Sequence, residues 1–173
     1  MRRQLAIMKD MGVNALRTSH NPPAAEVLEL CDEMGILVWD ECFDKWDDTA
    51  GIKPGEDMVG YVIRNLRALV KRDRNHPSVV IWSISNEIWE RDPAHPMRSS
   101  HRWADRRPDG QTKERNDLFA AAVRLEDDTR PVGCGNRPYM NEKRILDLDL
   151  WRSLDVVGWN YLNSYAAAHS HDP

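Results

Sequence analysis

The stretch WSISNE, residues 82–87, ends the apolar run VVIWSIS with a carboxamide and a carboxylate side by side, Asn86 and Glu87. A carboxyl at the end of an apolar strand is partly withdrawn from water, which favours its neutral form. A neutral carboxylic acid suits general acid catalysis, the protonation of a leaving oxygen. The neighbouring carboxamide can hydrogen-bond a substrate hydroxyl. A lone Glu at a strand end serves equally well as a salt-bridge partner or loop cap, so its company decides. Three more apolar stretches end in polar or aromatic residues: Arg17-Thr18-Ser19-His20-Asn21, Asp40-Glu41 and Trp159-Asn160-Tyr161.

The elements that must position these residues follow a repeated unit, in which an amphipathic stretch meets a helix stop and a short apolar run follows. QLAIMKDMG precedes VNALRTS, and AAEVLELCDEMG precedes ILVWDE, with the two similar junctions 23 residues apart. Gly12 and Gly35 fall where a helix takes a left-handed C-terminal residue. In a third unit Val59, Val62, Ile63, Leu66 and Val70 keep helical spacing, RNHP stops the helix, and SVVIWSIS reads as a strand buried on both faces. A fourth pairs a helix over 114–127, with Leu118, Ala121, Ala122 and Leu125 on one face, with PVGCG. The fifth pairs residues 142–153 with DVVGWNY.

Strands separated by helices imply parallel pairing through right-handed crossovers, in an open doubly wound sheet or part of a (β/α)8 barrel. An open sheet concentrates its site at one switch point, usually with a glycine-rich phosphate loop, and neither GxGxxG nor a Walker pattern occurs. A barrel gathers the C-terminal ends of all its strands on one pocket. Four decorated strand ends, and long polar connections after strands (43–56 and 88–112), therefore favour the barrel.

Bulk properties restrict the partners. The net charge of −4, with 24 basic and 28 acidic residues, lacks the basic surplus of a nucleic-acid binder. No apolar run approaches the roughly 18 residues of a membrane helix. Cys31, Cys42 and Cys134 are too few and scattered for a disulfide framework or metal knuckle and are expected to be reduced thiols. MRRQLAIMKDMG begins inside a helical pattern without a capping residue or leader, so the start of the protein is expected upstream and localisation is left open.

Four segments, NALRTSHNPP, LCDEMGILVWDECFDKW, RDRNHPSVVIWSISNE and DVVGWNY, resemble the catalytic barrel of glycoside hydrolase family 2, the β-galactosidase, β-glucuronidase and β-mannosidase group. The resemblance spans nearly the whole chain and is weakest from Glu90 to Gln111. It implies an α/β fold, a partial (β/α)8 TIM barrel. The chain would hold the second (Val13 to Thr18), third (Ile36 to Asp40), fourth (Ser78 to Ser85), fifth (Val132 to Gly135) and sixth (Asp155 to Trp159) strands. It further implies that Glu87 is the acid/base of a retaining mechanism, with Asn86 on the sugar 2-hydroxyl. His20 and Asn21 match the family's SHNP motif, whose His contacts the sugar being cleaved, and Tyr161 matches the Tyr near the nucleophile.

Within that frame Asn160 joins the expected sugar-binding residues. Asp40 and Glu41 are candidates for sugar hydroxyls, or else hydrogen-bond Arg17 and loop amides. Arg17 is expected to partner a buried carboxylate. Among the tryptophans that could stack on a sugar, Trp46, Trp82, Trp89 and Trp159, the mid-strand Trp82 belongs in the core, and His76 is structural.

Retaining hydrolysis needs two carboxyls about 5 to 5.5 Å apart, and the family places the attacking Glu on the seventh strand. The first, seventh and eighth strands are expected to be missing from residues 1–173. The chain is thus expected to be an incomplete barrel, inactive alone, that holds the acid/base and lacks the nucleophile. Glu41, at the end of the strand adjacent to that of Glu87, is the alternative nucleophile. The full-length protein is expected to add the missing strands and accessory β-sandwich domains, and to act on a β-galactoside or related carbohydrate. One alternative is a non-catalytic carbohydrate-binding remnant of such a barrel; another is an unrelated barrel with Asp40, Glu41 and Glu87 around a divalent metal. His95, His101 and the terminal HSHD, with His169 and His171, do not make a specific metal site, and no metal or cofactor is expected.

Overall fold

The computed structural model describes residues 1–46, 54–88, 112–136 and 151–160. In chain order the elements are α1 (Arg2–Asp10), β1 (Ala15–Arg17), α2 (Ala25–Met34), β2 (Leu37–Glu41), α3 (Met58–Asp73), β3 (Val79–Asn86), α4 (Thr112–Arg124), β4 (Val132–Asn136) and β5 (Val156–Trp159). The five strands form one sheet in the order β1-β2-β3-β4-β5, and every pair is parallel. Strands that neighbour each other in strict chain order are the mark of a barrel, because a doubly wound sheet reverses its order at the switch point. The chain is a partial (β/α)8 barrel, with β1 to β5 in the places of the second to sixth strands.

Local chemistry explains the boundaries. Gly35 ends α2 at φ 65°, ψ 44°, with its N–H on the Cys31 carbonyl, and Gly12 follows α1 at φ 90°. Asp57 caps α3 by accepting the Gly60 N–H at 2.7 Å. The inward face of α3, Val62, Leu66, Leu69 and Val70, packs with Leu28 and Cys31 of α2 on strand residues Val38, Val79, Trp82, Ile84, Val132 and Cys134. Each fully buried Leu, Val or Phe side chain contributes roughly 1.5–3 kcal/mol, so this layer carries most of the stability.

The buried face of α4 is not the one that Leu118, Ala121, Ala122 and Leu125 mark, Ala122 apart. Leu118 is 48% and Leu125 70% exposed, and Ala121 is also outside. The buried side is Asn116, Phe119, Ala120, Ala122 and Val123. Phe119 sets the rotation: its ring meets the Trp46 indole edge-on, centroids 4.8 Å apart at 77°.

The N-terminal ends of the strands are tied by carboxylates. Asp32 accepts the Ser78 N–H at 2.9 Å and pairs with His76 at 2.6 Å. Asp155 accepts the Val132 N–H at 2.9 Å, and Asp127 accepts from Thr129 and from the Trp82 indole at 3.0 Å. Contacts on this face of a barrel serve stability, so His76 and Trp82 are framework residues. All three cysteines are buried free thiols. No helix of the described residues is long and apolar enough to cross a membrane. The helix expected over 142–153 falls largely outside the described residues, as do Trp89, Tyr161, His95, His101 and HSHD.

Candidate active site

Successive strand residues point to opposite faces, and this alternation sorts the strand-end residues. Arg17, Trp39, Glu41 and Ser83 share the face away from the helices. Three glycines on the facing strands leave them room. A Cβ on Gly133 would lie 3.2 Å from Trp39 Cζ2, one on Gly158 2.7 Å from Trp39 Cη2, and one on Gly135 2.1 Å from Arg17 Nη2. The guanidinium also lies over the Trp39 ring, 5.8 Å from its centroid.

Glu41 organises this face. It is fully buried, at 0% exposure. Its Oε2 accepts from Arg17 Nε at 2.8 Å and Ser83 Oγ at 2.6 Å, and its Oε1 from Arg17 Nη2 at 3.0 Å. His20 Nδ1 lies 2.7 Å from the same Oε1. A carboxylate with both oxygens committed, out of reach of solvent, has nothing left for a sugar or an anomeric carbon. Of the two readings of Glu41, the geometry favours hydrogen bonding to Arg17 over binding sugar: it holds Arg17 and His20, and the alternative of Glu41 as nucleophile falls with the second.

Asp40 points the other way. It is buried against the end of α3, where its carboxyl accepts from the Thr18 hydroxyl at 3.3 Å, near Asp73 and Arg72. Burial, reinforced by the Asp73 carboxyl, pushes its pKa up to about 8. Arg72 grips Asp73 through two hydrogen bonds of 2.6 and 2.7 Å. The placement of Asp40 among sugar ligands is thus corrected by the alternation of the strand. The same fact removes the three-carboxylate metal site, since Asp40 and Glu41 occupy opposite faces. Among the described residues no group of three His, Cys, Asp or Glu side chains could hold a metal ion.

Two tryptophan expectations change as well. Trp46 is 1% exposed, donates its indole N–H to the Ile84 carbonyl at 3.0 Å, and packs on Phe119, so it is core and no sugar platform. Trp159 alternates with Gly158 and shares the face of Val157, which packs against the core.

Asn86, Glu87 and Asn160 are brought together. The pairing of β3 with β4 shifts register between Ser83 and Asn86, and Glu87 takes φ 51°, a left-handed conformation uncommon outside glycine. Its N–H donates to the Gly135 carbonyl at 2.8 Å. Bulges of this kind re-aim side chains at strand ends, and here two adjacent residues join one network. Asn86 Oδ1 accepts from Arg17 Nη2 at 2.7 Å and Asn160 Nδ2 at 2.8 Å, while its Nδ2 donates to Asp44 Oδ1 at 2.9 Å. Asn160 Nδ2 also donates to Glu87 Oε1 at 3.0 Å, and Arg17 Nη1 donates to Asn160 Oδ1 at 3.2 Å. The Glu87 side chain keeps 12% of its surface exposed, with Lys45 Nζ 3.9 Å from Oε2. The result is a partly accessible carboxyl held on one oxygen by a neutral donor, a geometry able to give or take a proton.

His20 follows a cis Ser19–His20 peptide, and its side chain is 37% exposed. Asn21 is exposed beside it, with its backbone N–H on the Thr18 carbonyl at 3.2 Å. Sequence reasoning missed Ser83, Trp39, Asp44 and Lys45. The available signals were a small hydroxyl residue inside an apolar strand and a charged pair between two aromatics in FDKW.

Comparison with known proteins identifies the barrel: residues 1–160 match the family model described as glycosyl hydrolases family 2, TIM barrel domain. The chain belongs to glycoside hydrolase family 2. Within the family it is 36% identical to the β-galactosidase BoGH2A of Bacteroides ovatus, over 93% of this chain and 20% of that protein. The β-glucuronidase of Mus musculus is 40% identical over 47% of this chain and 12% of its own length. The crystal structure of a glycosyl hydrolase family 2 member from Bacteroides cellulosilyticus superposes with a TM-score of 0.70 at 34% identity, covering 99% of this chain and 20% of that one. This chain spans about a fifth of the length of those Bacteroides relatives. Its relatives are glycoside hydrolases, which sets the reaction class at the level of the family.

Proposed function

We propose that this barrel segment carries the acid/base half of a retaining β-glycosidase, β-galactosidase-like in specificity, with Glu87 as proton donor and then base. The observation that supports it best is the Glu87 carboxyl, turned to the mouth by a left-handed backbone and held through Asn160 by the Arg17 network. In the first step Glu87 protonates the glycosidic oxygen as a second carboxylate attacks the anomeric carbon. In the second Glu87 takes a proton from the water that releases the sugar. Asn86 faces the 2-hydroxyl, and His20, Asn21 and Asn160 line the sugar.

Glu41 is spent on Arg17, Ser83 and His20, so the second carboxylate comes from a strand outside the described residues. The five described strands thus supply one of the two carboxylates that the reaction needs. A β-galactoside is preferred because the β-galactosidase relative aligns over 93% of the chain.

The test is leaving-group dependence in the protein with its complete barrel. Glu87→Gln should cost about a hundredfold or more on an alkyl β-galactoside, the scale of general acid catalysis. Its loss in the glycosylation step of 2,4-dinitrophenyl β-galactoside, which needs no protonation, should be small. Equal losses on both substrates would rule out Glu87 as the acid.

A further inference from the structure

We infer that Asp44 is a positioning residue for Asn86, fixing which end of the Asn86 carboxamide meets the sugar. The inference rests on the proposed role of Asn86 at the 2-hydroxyl. A carboxamide is nearly symmetric in shape, so a half-turn exchanges a donor for an acceptor and only its neighbours decide which is presented. On one side of Asn86 stand two donors, Arg17 Nη2 at 2.7 Å and Asn160 Nδ2 at 2.8 Å, and both point at Oδ1. On the other side stands an acceptor, Asp44 Oδ1, at 2.9 Å from Nδ2. The Asn86 backbone N–H also donates to the Asp44 carbonyl at 2.7 Å. One Nδ2 hydrogen is thereby used and the other remains to be donated. Asn86 meets the substrate as a donor, and the atom it meets must accept, as a hydroxyl oxygen does.

The turn carrying Asp44 is built to hold it there. Phe43 is buried, with its ring 5.8 Å from that of Tyr61, and Trp46 is buried against Phe119. These anchors flank Asp44 and Lys45 and leave the charged pair at the mouth. Lys45 Nζ lies 2.5 Å from Asp44 Oδ1. Partial burial pushes the Asp44 carboxyl up, but hydrogen bonds from Asn86 and Lys45 outweigh it, so it stays ionised as an acceptor. The Asp44 side chain is half exposed, which lets it be replaced without opening the core.

The experiment uses the protein with its complete barrel and two probes, 4-nitrophenyl β-galactoside and 4-nitrophenyl 2-deoxy-β-galactoside. Asp44→Ala should lower kcat/KM on the first by about tenfold or more, the scale of a hydrogen bond to a charged group. On the 2-deoxy substrate it should lower it no more than about twofold, since the group that Asn86 addresses is already gone. Asp44→Leu, similar in volume and without an acceptor, should repeat that pattern. Asp44→Asn, whose carbonyl can still accept from Asn86, should recover most of the loss. Asn86→Ala run beside them separates the two levels of the reading. If Asn86→Ala depends on the 2-hydroxyl while Asp44→Ala loses equally on both substrates or on neither, the positioning role is overturned and the role of Asn86 stands. If Asn86→Ala itself shows no dependence on the 2-hydroxyl, the reading beneath both fails.

Discussion

One methyl group tests the Arg17 network. A Cβ on Gly135 would stand 2.1 Å from Arg17 Nη2, 2.5 Å from Cζ and 2.7 Å from Nη1. The guanidinium must retreat by about 1 Å or more to reach ordinary contact distance. A free arginine tip would move at little cost, but this one is tied by hydrogen bonds of 2.8 and 3.0 Å to Glu41, 2.7 Å to Asn86 and 3.2 Å to Asn160. Hydrogen bonds to charged groups contribute about 1.5–3 kcal/mol each. Losing the partner of a buried ion costs about 3–5 kcal/mol, and Glu41 is fully buried. Arg17 itself keeps 21% of its side-chain surface in water, which softens the loss. Gly135→Ala should therefore destabilise by about 3 kcal/mol, against a strand preference for Ala over Gly of about 0.5–1 kcal/mol in the other direction. Urea unfolding reads this as a lower midpoint at unchanged slope. The decisive comparison is the same substitution in an Arg17→Ala background, where the methyl meets no guanidinium and should cost less than about 0.5 kcal/mol, a coupling of roughly 2–3 kcal/mol. A cost below about 1 kcal/mol, equal in both backgrounds, would show that Arg17 is not fixed over Gly135.

Two further outcomes follow from buried groups. Asp40 keeps its proton in the folded chain up to about 8 against an ordinary 3.8, so folding takes up a proton in that window and stability falls as pH rises through it. Asp40→Asn should therefore gain on the parent protein progressively from pH 4 to pH 8 in urea midpoints, and a gap that stays constant would contradict a neutral Asp40 carboxyl in the folded chain. On α4, Phe119→Ala should cost about 3–5 kcal/mol through its cavity, while Leu125→Lys should stay within about 0.5 kcal/mol. Comparable melting-temperature losses for the two would show that the helix is rotated from the orientation described.

What was legible in the sequence follows from which signals are local. Gly12 and Gly35 mark helix ends through their own backbone freedom, and both have positive φ. The apolar run before Asn86 could only be a buried strand, and β3 is one. The pairing of Arg17 with a buried carboxylate followed from a charge placed inside a barrel mouth. Asp40 and Glu41 part company because period-two alternation sends adjacent strand residues to opposite faces, and Glu41 takes the Arg17 hydrogen bonds that were one of its two readings. Asn86 and Glu87 are also adjacent, yet both join the site, because the register shift and the left-handed turn at Glu87 suspend that alternation. Nothing in the residue types distinguishes the two cases; the difference lies in pairing with β4, which is remote in sequence. Trp46 and the face of α4 were missed for a related reason, since each is decided by the other through the Trp46–Phe119 contact. Packing between distant residues leaves no periodic trace.

Chemical rescue separates Glu87 as the acid/base of a retaining reaction from any other assignment. In the protein with its complete barrel, Glu87→Ala should cleave 2,4-dinitrophenyl β-galactoside slowly, because water is no longer activated for the second step. Added azide, which needs no general base, should restore turnover and yield the β-galactosyl azide, detectable by its anomeric proton in NMR. Absence of rescue, or an azide product of α configuration, would contradict the claim.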